Sequence, residues 1–318
     1  HRINLNLESE TMTEPAEGGD DGRAHFFVYD GVDAVPFTVT HLRFDPSVEV
    51  ISPFALLSCV HLMEVELPEG LEKIERNTFS RCRNLEIARI SSTVREIGEY
   101  AFQNCCRLKA IDLPQGLVQI GKGAFAGCRL LETIRISPLI QTIEVEAFSE
   151  CDSLTELILP PNLLEIKDCA FENCKSLASV DFPSSLRAIG KSSFKGTGLT
   201  ELNLPDSVEY CGPFEHCKFP NLRLPPLITK FDMGTSEGRT ISLEVPENIE
   251  QISIPFREHS LLNGLRNVAF PAFVMGGIPV HKICYYHSYD DARKSIRDLK
   301  RAIHLWCTKT RSGKLSDV

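Results

Sequence analysis

One fragment recurs in this chain every 23 residues, and this recurrence constrains the fold more than any other feature of the sequence. Most copies carry a phenylalanine and, three residues later, a cysteine. The phenylalanines are Phe79, Phe102, Phe125, Phe148, Phe171 and Phe194, and the cysteines are Cys59, Cys82, Cys105, Cys128, Cys151 and Cys174. Self-similarity at this period predicts a solenoid, in which each coil is one repeat and contacts only its neighbours.

Each repeat also predicts one strand. Apolar residues follow the pattern L-x-x-I-x-L-P, as at Leu108, Ile111 and Leu113, and the proline lacks the N–H that would continue a ladder. A second apolar pair, such as Val94 and Ile97, then precedes an Ala-Phe segment that we interpret as a short helical turn. The expected fold class is therefore an α/β solenoid of parallel β-strands and short helical turns. One repeat buries too little apolar surface to offset its conformational entropy, so the coils must stack.

The periodicity divides the chain into five regions. Residues 1–24 are acidic and poor in core residues, and we predict a disordered tail. Residues 25–36 are apolar and β-prone and are expected to form an N-terminal cap over the first repeat. Eight repeats are predicted in 37–217 and degenerate repeats in 218–279. Residues 280–318 contain apolar residues at helical spacing, which predicts a helical tail or the start of a further domain.

Charge and composition exclude several classes of function. The net charge of −9 argues against a general nucleic-acid binder, which needs a basic face. No apolar run approaches the roughly 18 residues that would predict a membrane span. Gly121-Lys122-Gly123 lacks the spacing of a phosphate-binding loop, and no nucleophile and base converge. We therefore expect no enzyme and no cofactor.

The pattern of cysteines indicates the cellular compartment in which the protein is expected. Six of the twelve occupy one repeat position, which predicts a ladder of buried, reduced thiols. Disulfides between neighbouring repeats are the alternative, and they would require suitable Cβ geometry at each rung. The chain also has no N-x-S/T sequon. Both observations favour an intracellular protein, with an extracellular or cell-surface location as the alternative.

A possible metal site lies near the C-terminus. The ligand types are zinc ligands, but their spacing matches no standard zinc finger. Apolar neighbours favour ordinary packing, so we predict no metal. The residues concerned are His281, Cys284, His287, His304 and Cys307.

The full consensus, as it stands in residues 108–128, resembles the BspA-type leucine-rich repeat family. The resemblance is strong over 37–217 and extends over 25–271. It implies a right-handed leucine-rich repeat superhelix, with parallel strands on one face and no intrinsic catalysis. Members include bacterial surface adhesins and uncharacterised proteins of unicellular eukaryotes. The expected function is a non-catalytic protein–protein interaction scaffold. The alternative is a secreted or cell-surface adhesin that binds extracellular proteins.

The residues beside the middle core position of each strand are expected to point outward, because strand side chains alternate between faces. Charges of alternating sign occupy one such position in five consecutive repeats, at Arg43, Glu66, Arg89, Asp112 and Arg135. Opposite charges on neighbouring strands attract. These five residues are therefore predicted to form a self-neutralising ladder with a structural role.

The alternation ends in the sixth repeat, where an acidic patch follows. Its residues are Glu156, Ile158, Asp181, Glu201 and Asn203. The patch combines three carboxylates with one exposed apolar side chain and has no basic residue. It is either a solvated acidic surface or the preferred site for a basic segment of a protein partner, whose encounter it would accelerate. We predict the partner site.

Overall fold

The computed structural model describes residues 24–30, 35–36, 38–212, 221–228, 230–232, 242–244, 251–255 and 283–286. In these parts of the chain every strand pairing is parallel. Paired residues such as His41 and Glu64, or Glu64 and Ile87, lie one repeat apart. The predicted parallel-strand solenoid with a 23-residue period is therefore confirmed.

The strands are short, because each coil turns several times within one repeat. In chain order they are β1 (Phe26–Tyr29), β2 (His41–Phe44), β3 (Glu64–Glu66), β4 (Lys73–Ile74), β5 (Ile87–Arg89), β6 (Glu96–Ile97), β7 (Gln119–Ile120), β8 (Thr133–Arg135), β9 (Thr142–Ile143), β10 (Glu156–Ile158), β11 (Glu165–Ile166), β12 (Ala188–Ile189), β13 (Tyr210–Cys211), β14 (Asn221–Arg223), β15 (Lys230–Asp232), β16 (Ser242–Glu244), β17 (Gln251–Pro255) and β18 (Ile283–Tyr286).

The strands of the repeat region line two sides of the solenoid. The first side, which we call the strand face, holds a sheet of β1, β2, β3 and β5 and a pair of β8 and β10. The second side holds a sheet of β4, β6 and β7 and a sheet of β9, β11, β12 and β13. In β3, β5, β8 and β10 the middle residue is buried, as the sequence pattern predicts, and its two neighbours are exposed or half-buried.

The strand face is interrupted in three coils. No strand forms at 111–113, 180–182 or 202–204, although the sequence predicts one in each. Just before the first of these segments an isolated bridge joins Ala110 to Thr133, and β5 and β8 consequently belong to different sheets. The predicted core residues Ile111 and Leu202 are buried all the same. Burial of their apolar side chains therefore holds these segments in position, although their backbones form no regular β-ladder.

The short helical turns predicted around each phenylalanine are wrong, and the described part of the chain contains no helix. Each coil instead makes a run of tight turns, in which the residues two before and two after the phenylalanine are left-handed. Asn77 has φ of 55° and Arg81 has φ of 63° around Phe79. We call these five residues of each coil the ridge.

The ridge directs its backbone N–H groups toward the next coil, which an α-helical turn would not do. The N–H groups of Asn77, Phe79 and Arg81 donate to carbonyls one repeat later, at 2.7–2.9 Å. Those acceptors are Glu99, Ala101 and Gln103. The same three bonds recur, in the same direction, in the six ridges from 54–58 to 169–173. The ridge therefore ties the coils together through its backbone.

Two side-chain ladders run beneath the ridge. The six phenylalanine rings are fully buried and stack in a column, with centroids 5.1–5.4 Å apart and planes within 15° of parallel. The buried thiols form the second ladder. The Sγ of Cys105 donates to the carbonyl oxygen of Phe79 at 3.2 Å, and the same bond recurs at Cys82, Cys128, Cys151 and Cys174. Burial raises the pKa of the Cys105 thiol, which keeps its proton available for this bond.

The C-terminal part continues the parallel pairing. Strand β14 pairs with β16, β15 pairs with β17, and β17 pairs with β18. Strands β14 to β17 lie in the region predicted to hold degenerate repeats. Strand β18 contains Cys284, and the other residues of the possible metal site lie outside the described residues. The predicted helix after residue 290 also lies outside them.

We expect the ladder thiols to resist alkylation in the native protein. At pH 8 a maleimide should label Cys106, which is half-buried, but not the fully buried Cys105 beside it, nor Cys82, Cys128 or Cys151. Denaturant should expose all five to labelling without added reductant. Peptide mass spectrometry distinguishes the sites. A requirement for reductant, or native labelling of Cys105 as fast as that of Cys106, would contradict the structure.

Candidate functional site

The predicted patch lies on the solvent side of the solenoid. Glu156 and Ile158 flank the buried Leu157 on β10; Glu156 is exposed and Ile158 is half-buried. Asp181, Glu201 and Asn203 are also exposed. The last three belong to the coils in which no strand forms, so the structure places them on the surface without the ladder that the sequence predicts. Their role in binding remains a prediction.

Ion pairs occupy the charged side chains of the first three coils on the strand face. The Nε of Arg43 lies 3.0 Å from an Oε of Glu66, which confirms the first rung of the predicted ladder. The second rung is wrong. A guanidinium nitrogen of Arg89 lies 2.9 Å from Glu64 rather than from Glu66, and the imidazole of His41 lies 3.9 Å from the same carboxylate. Glu64 on β3 therefore lies within ion-pair distance of basic side chains on both neighbouring strands, β2 and β5.

The charged side chains of the next coils on this face, from Asp112 to Glu201, do not form ion pairs with one another. Asp112 and Arg135, the last predicted rungs, lie on the described strand face and form no ion pair within 4.0 Å. The same holds, within the described residues, for Glu156, Asp181 and Glu201. Four carboxylates and one guanidinium remain, an excess of three negative charges. This part of the face is therefore free to form ion pairs with another molecule.

A shallow depression of about 350 Å³ lies at the start of this unpaired region. Asp112, Thr133, Arg135, Glu156 and Ile158 contribute to its lining, so it offers both signs of charge beside apolar surface. It lies across the coil in which the sheet is interrupted, between β5 and β8. Arg135 therefore belongs to the same surface as Glu156. The sequence pattern assigned Arg135 to the ladder and missed this neighbourhood, although the two positions are on adjacent repeats.

Charges on the other sides of the solenoid mostly join adjacent coils. Lys167 lies 2.8 Å from Glu144, Lys175 lies 3.0 Å from Asp152, and Arg187 lies 3.2 Å from Glu209. The hydrogen bond from Lys167 to the Glu144 carboxylate raises the pKa of the lysine. Because these pairs link residues about one repeat apart, they stabilise stacking. The strand face from Asp112 to Asn203 differs from them in having no such links, and ion pairing resumes at Arg223 on β14, which lies 3.1 Å from Asp206.

Within the described residues we looked for side chains placed to hold a metal ion and for helices able to span a membrane. No group of three histidine, cysteine or carboxylate side chains within them is placed to hold a metal ion. Among the same residues, no helix is long and apolar enough to cross a bilayer. The cysteines at the repeat position are buried beneath the ridge, where no base accompanies them. An activated thiolate needs exposure and a nearby positive group, which these residues lack.

Comparison with known proteins identifies the family. The model of the BspA type leucine rich repeat region matches residues 37–151 and 120–240, with six copies of the repeat. The chain therefore belongs to this family. No curated protein matches the sequence.

One solved structure shows the same fold, and others are similar over part of the chain. A leucine-rich repeat protein from Bacteroides ovatus ATCC 8483 is 26% identical and superimposes with a TM-score of 0.61. The alignment covers 70% of this chain and 64% of that protein, so this chain spans less than two thirds of its relative. A leucine rich repeat protein of T. pallidum is also 26% identical, with a TM-score of 0.45 over 54% of this chain and 76% of its own. A leucine rich cell surface protein from Faecalibacterium prausnitzii A2-165 is 18% identical, with a TM-score of 0.36 and 85% coverage of both chains.

The two halves of the strand face should respond differently to loss of charge. Glu64→Ala removes the carboxylate shared by Arg89 and His41 and should lower the free energy of unfolding by up to about 1 kcal/mol. Asp112→Ala and Arg135→Ala should each change it by less than about 0.5 kcal/mol, because neither residue is paired. Urea denaturation measures all three. A loss at Asp112 or Arg135 as large as that at Glu64 would show that these residues have a structural role.

Proposed function

We propose that this protein is a non-catalytic scaffold that binds another protein on the strand face, at the patch of Glu156, Ile158, Asp181, Glu201 and Asn203. One observation carries the proposal. Charged side chains form inter-coil pairs over much of the described solenoid but are unpaired on this face from Asp112 to Asn203. When a partner pairs with these charged side chains, no ion pair within the protein has to break first.

The charge of the face favours a basic partner. Asp112, Glu156, Asp181 and Glu201 exceed Arg135 by three charges, and none of these carboxylates forms an ion pair within 4.0 Å with a described residue. A lysine- or arginine-rich segment would be attracted over a distance and would pair with these carboxylates on contact. Ile158 is half-buried at the edge of the depression and offers an apolar contact beside the charges. Salt should weaken such a complex.

The thiol ladder supports a reducing compartment as the place of action, so we propose an intracellular protein. Five of the six ladder cysteines donate their S–H protons to carbonyl oxygens, and oxidation would remove those donors. A surface adhesin is the competing function. A cleavable signal peptide encoded upstream of His1 would favour the adhesin.

The decisive experiment reverses charge at the patch. Glu156→Lys/Asp181→Lys should weaken partner binding about tenfold or more, equivalent to at least about 1.4 kcal/mol. The control is Glu72→Lys/Glu99→Lys, which makes the same change in net charge at exposed positions away from the strand face. Partners captured on wild-type protein would be identified by mass spectrometry, and their affinities would then be measured with each variant at two salt concentrations. Equal affinity of the patch variant and wild type would refute the assignment of this site.

A further inference from the structure

One junction between coils differs from the others in its strand pairing. It joins the fourth coil, residues 106–128, to the fifth, residues 129–151. The strand face of the fourth coil forms no strand, and only the isolated bridge of Ala110 and Thr133 connects it to β8. On the second side, β7 of the fourth coil and β9 of the fifth belong to different sheets. Every other junction from the first coil to the eighth, within the described residues 38–212, keeps a strand pair on at least one side.

The backbone hydrogen bonds of the second side stop at the same junction. The N–H of Gly121 donates one coil back, to Ile97, at 2.8 Å, and the N–H of Lys167 makes the equivalent bond at 2.9 Å. Glu144 is the corresponding residue of the fifth coil, and its N–H makes no such bond to Ile120. The ladder on this side is therefore continuous before and after the junction but open at the junction itself.

The ridge, in contrast, is intact across this junction. Three N–H groups of the ridge at 123–127 donate to the fifth coil at 2.7–2.9 Å, and the rings of Phe125 and Phe148 stack with centroids 5.4 Å apart. At the adjoining end of the strand face, the N–H of Glu132 donates to Lys109 at 3.0 Å. The two coils are thus held together on one side and lack ladders on the other two. Such a junction can rotate about the side that is held.

A side-chain hydrogen bond crosses the open part of the junction. Ser137 lies at the corner between the strand face and the second side, where it is 3% exposed and its hydroxyl donates to the carbonyl oxygen of Gln115 at 2.9 Å. A comparable bond joins Ser185 to Leu163 at 2.7 Å, between the sixth and seventh coils. There the pairing of β11 with β12 also holds the coils together. At the junction of the fourth and fifth coils, the Ser137 bond has no such ladder beside it.

We propose that the solenoid bends at the junction of the fourth and fifth coils, with the ridge as the hinge and the hydrogen bond from Ser137 to Gln115 as the latch. Opening of the latch separates the two coils along the second side and the end of the strand face. The ridge hydrogen bonds and the phenylalanine column need not break, because they lie at the hinge.

The depression on the strand face lies across this hinge. Asp112, Leu113 and Gln115 of the fourth coil line it, together with Arg135 of the fifth coil and Glu156 of the sixth. Bending therefore changes the distance between the walls of the depression. A partner that pairs with Asp112 and Glu156 together would hold the two halves of the solenoid in one orientation. This consequence rests on the proposed function, whereas the bending itself does not.

Distances between spin labels test the hinge in the full chain. Nitroxides attached to p-acetylphenylalanine leave the native thiols untouched. The first pair, at Arg95 and Leu164, spans the junction; the second pair, at Gln141 and Glu209, spans the same number of coils without crossing it. All four residues are exposed at the same position of their coils. Dipolar electron paramagnetic resonance should give a distance distribution about twofold broader for the first pair, because bending adds to the motion of the labels. Equal widths for the two pairs would overturn the proposal.

A matched pair of serine variants tests the latch. Ser137→Ala removes the latch and should broaden the distribution of the first pair further, toward longer distances. Ser185→Ala removes the comparable hydroxyl and should leave the second pair unchanged, because β11 and β12 remain paired. No response of the first pair to Ser137→Ala would refute the latch, and equal broadening by the two variants would refute the hinge. Because neither measurement requires a partner, failure of the proposed binding site would leave both results unchanged.

Discussion

The rest of the structure depends on the hydrogen bonds that run from each ridge to the next. A left-handed conformation is unfavourable for residues other than glycine, yet residues as different as Phe54, Arg81 and Glu146 adopt it here. They do so because this conformation turns three N–H groups per coil toward the following coil. The phenylalanine column fills the space beneath, and the thiols satisfy the phenylalanine carbonyls. The buried phenylalanine rings, the backbone hydrogen bonds between coils and the thiol-to-carbonyl hydrogen bonds thus all lie in or directly beneath the ridge.

The hydrogen bonds between ridges all run from one coil to the following coil. This arrangement affects both the first coil and the strand face. Because the described ridges donate forward along the chain, the first ridge has no preceding ridge to donate to its carbonyls. Because the ridge holds the coils in register, the strand face can lose its ladder at 111–113 without loss of the solenoid. The side chains there, including Asp112 and Arg135, are then available to another molecule. A stable ridge and an open strand face are the two features on which the proposed binding function rests.

The sequence predicts the period, the core and the thiol ladder because these depend on apolar side chains that recur in phase. It does not predict the ridge conformation. The left-handed positions carry many residue types, and only some coils show a recognisable signal, such as Gly127 or Asn104. The exposure of Glu156 and Asp181 follows from simple alternation and is correct. The pairing of Arg89 with Glu64 instead of Glu66 depends on side-chain reach between neighbouring strands, which alternation does not specify.

Native-state hydrogen exchange tests the central role of the ridge most directly. The amides of Phe79, Phe102, Phe125 and Phe148 each donate to the next coil at 2.8 Å. They should be among the slowest to exchange, at a rate set by unfolding of the solenoid. The amides of β3 and β5 on the strand face should exchange faster, through local opening. If the strand-face amides are instead the more protected set, the strands hold the coils together and the ridge does not.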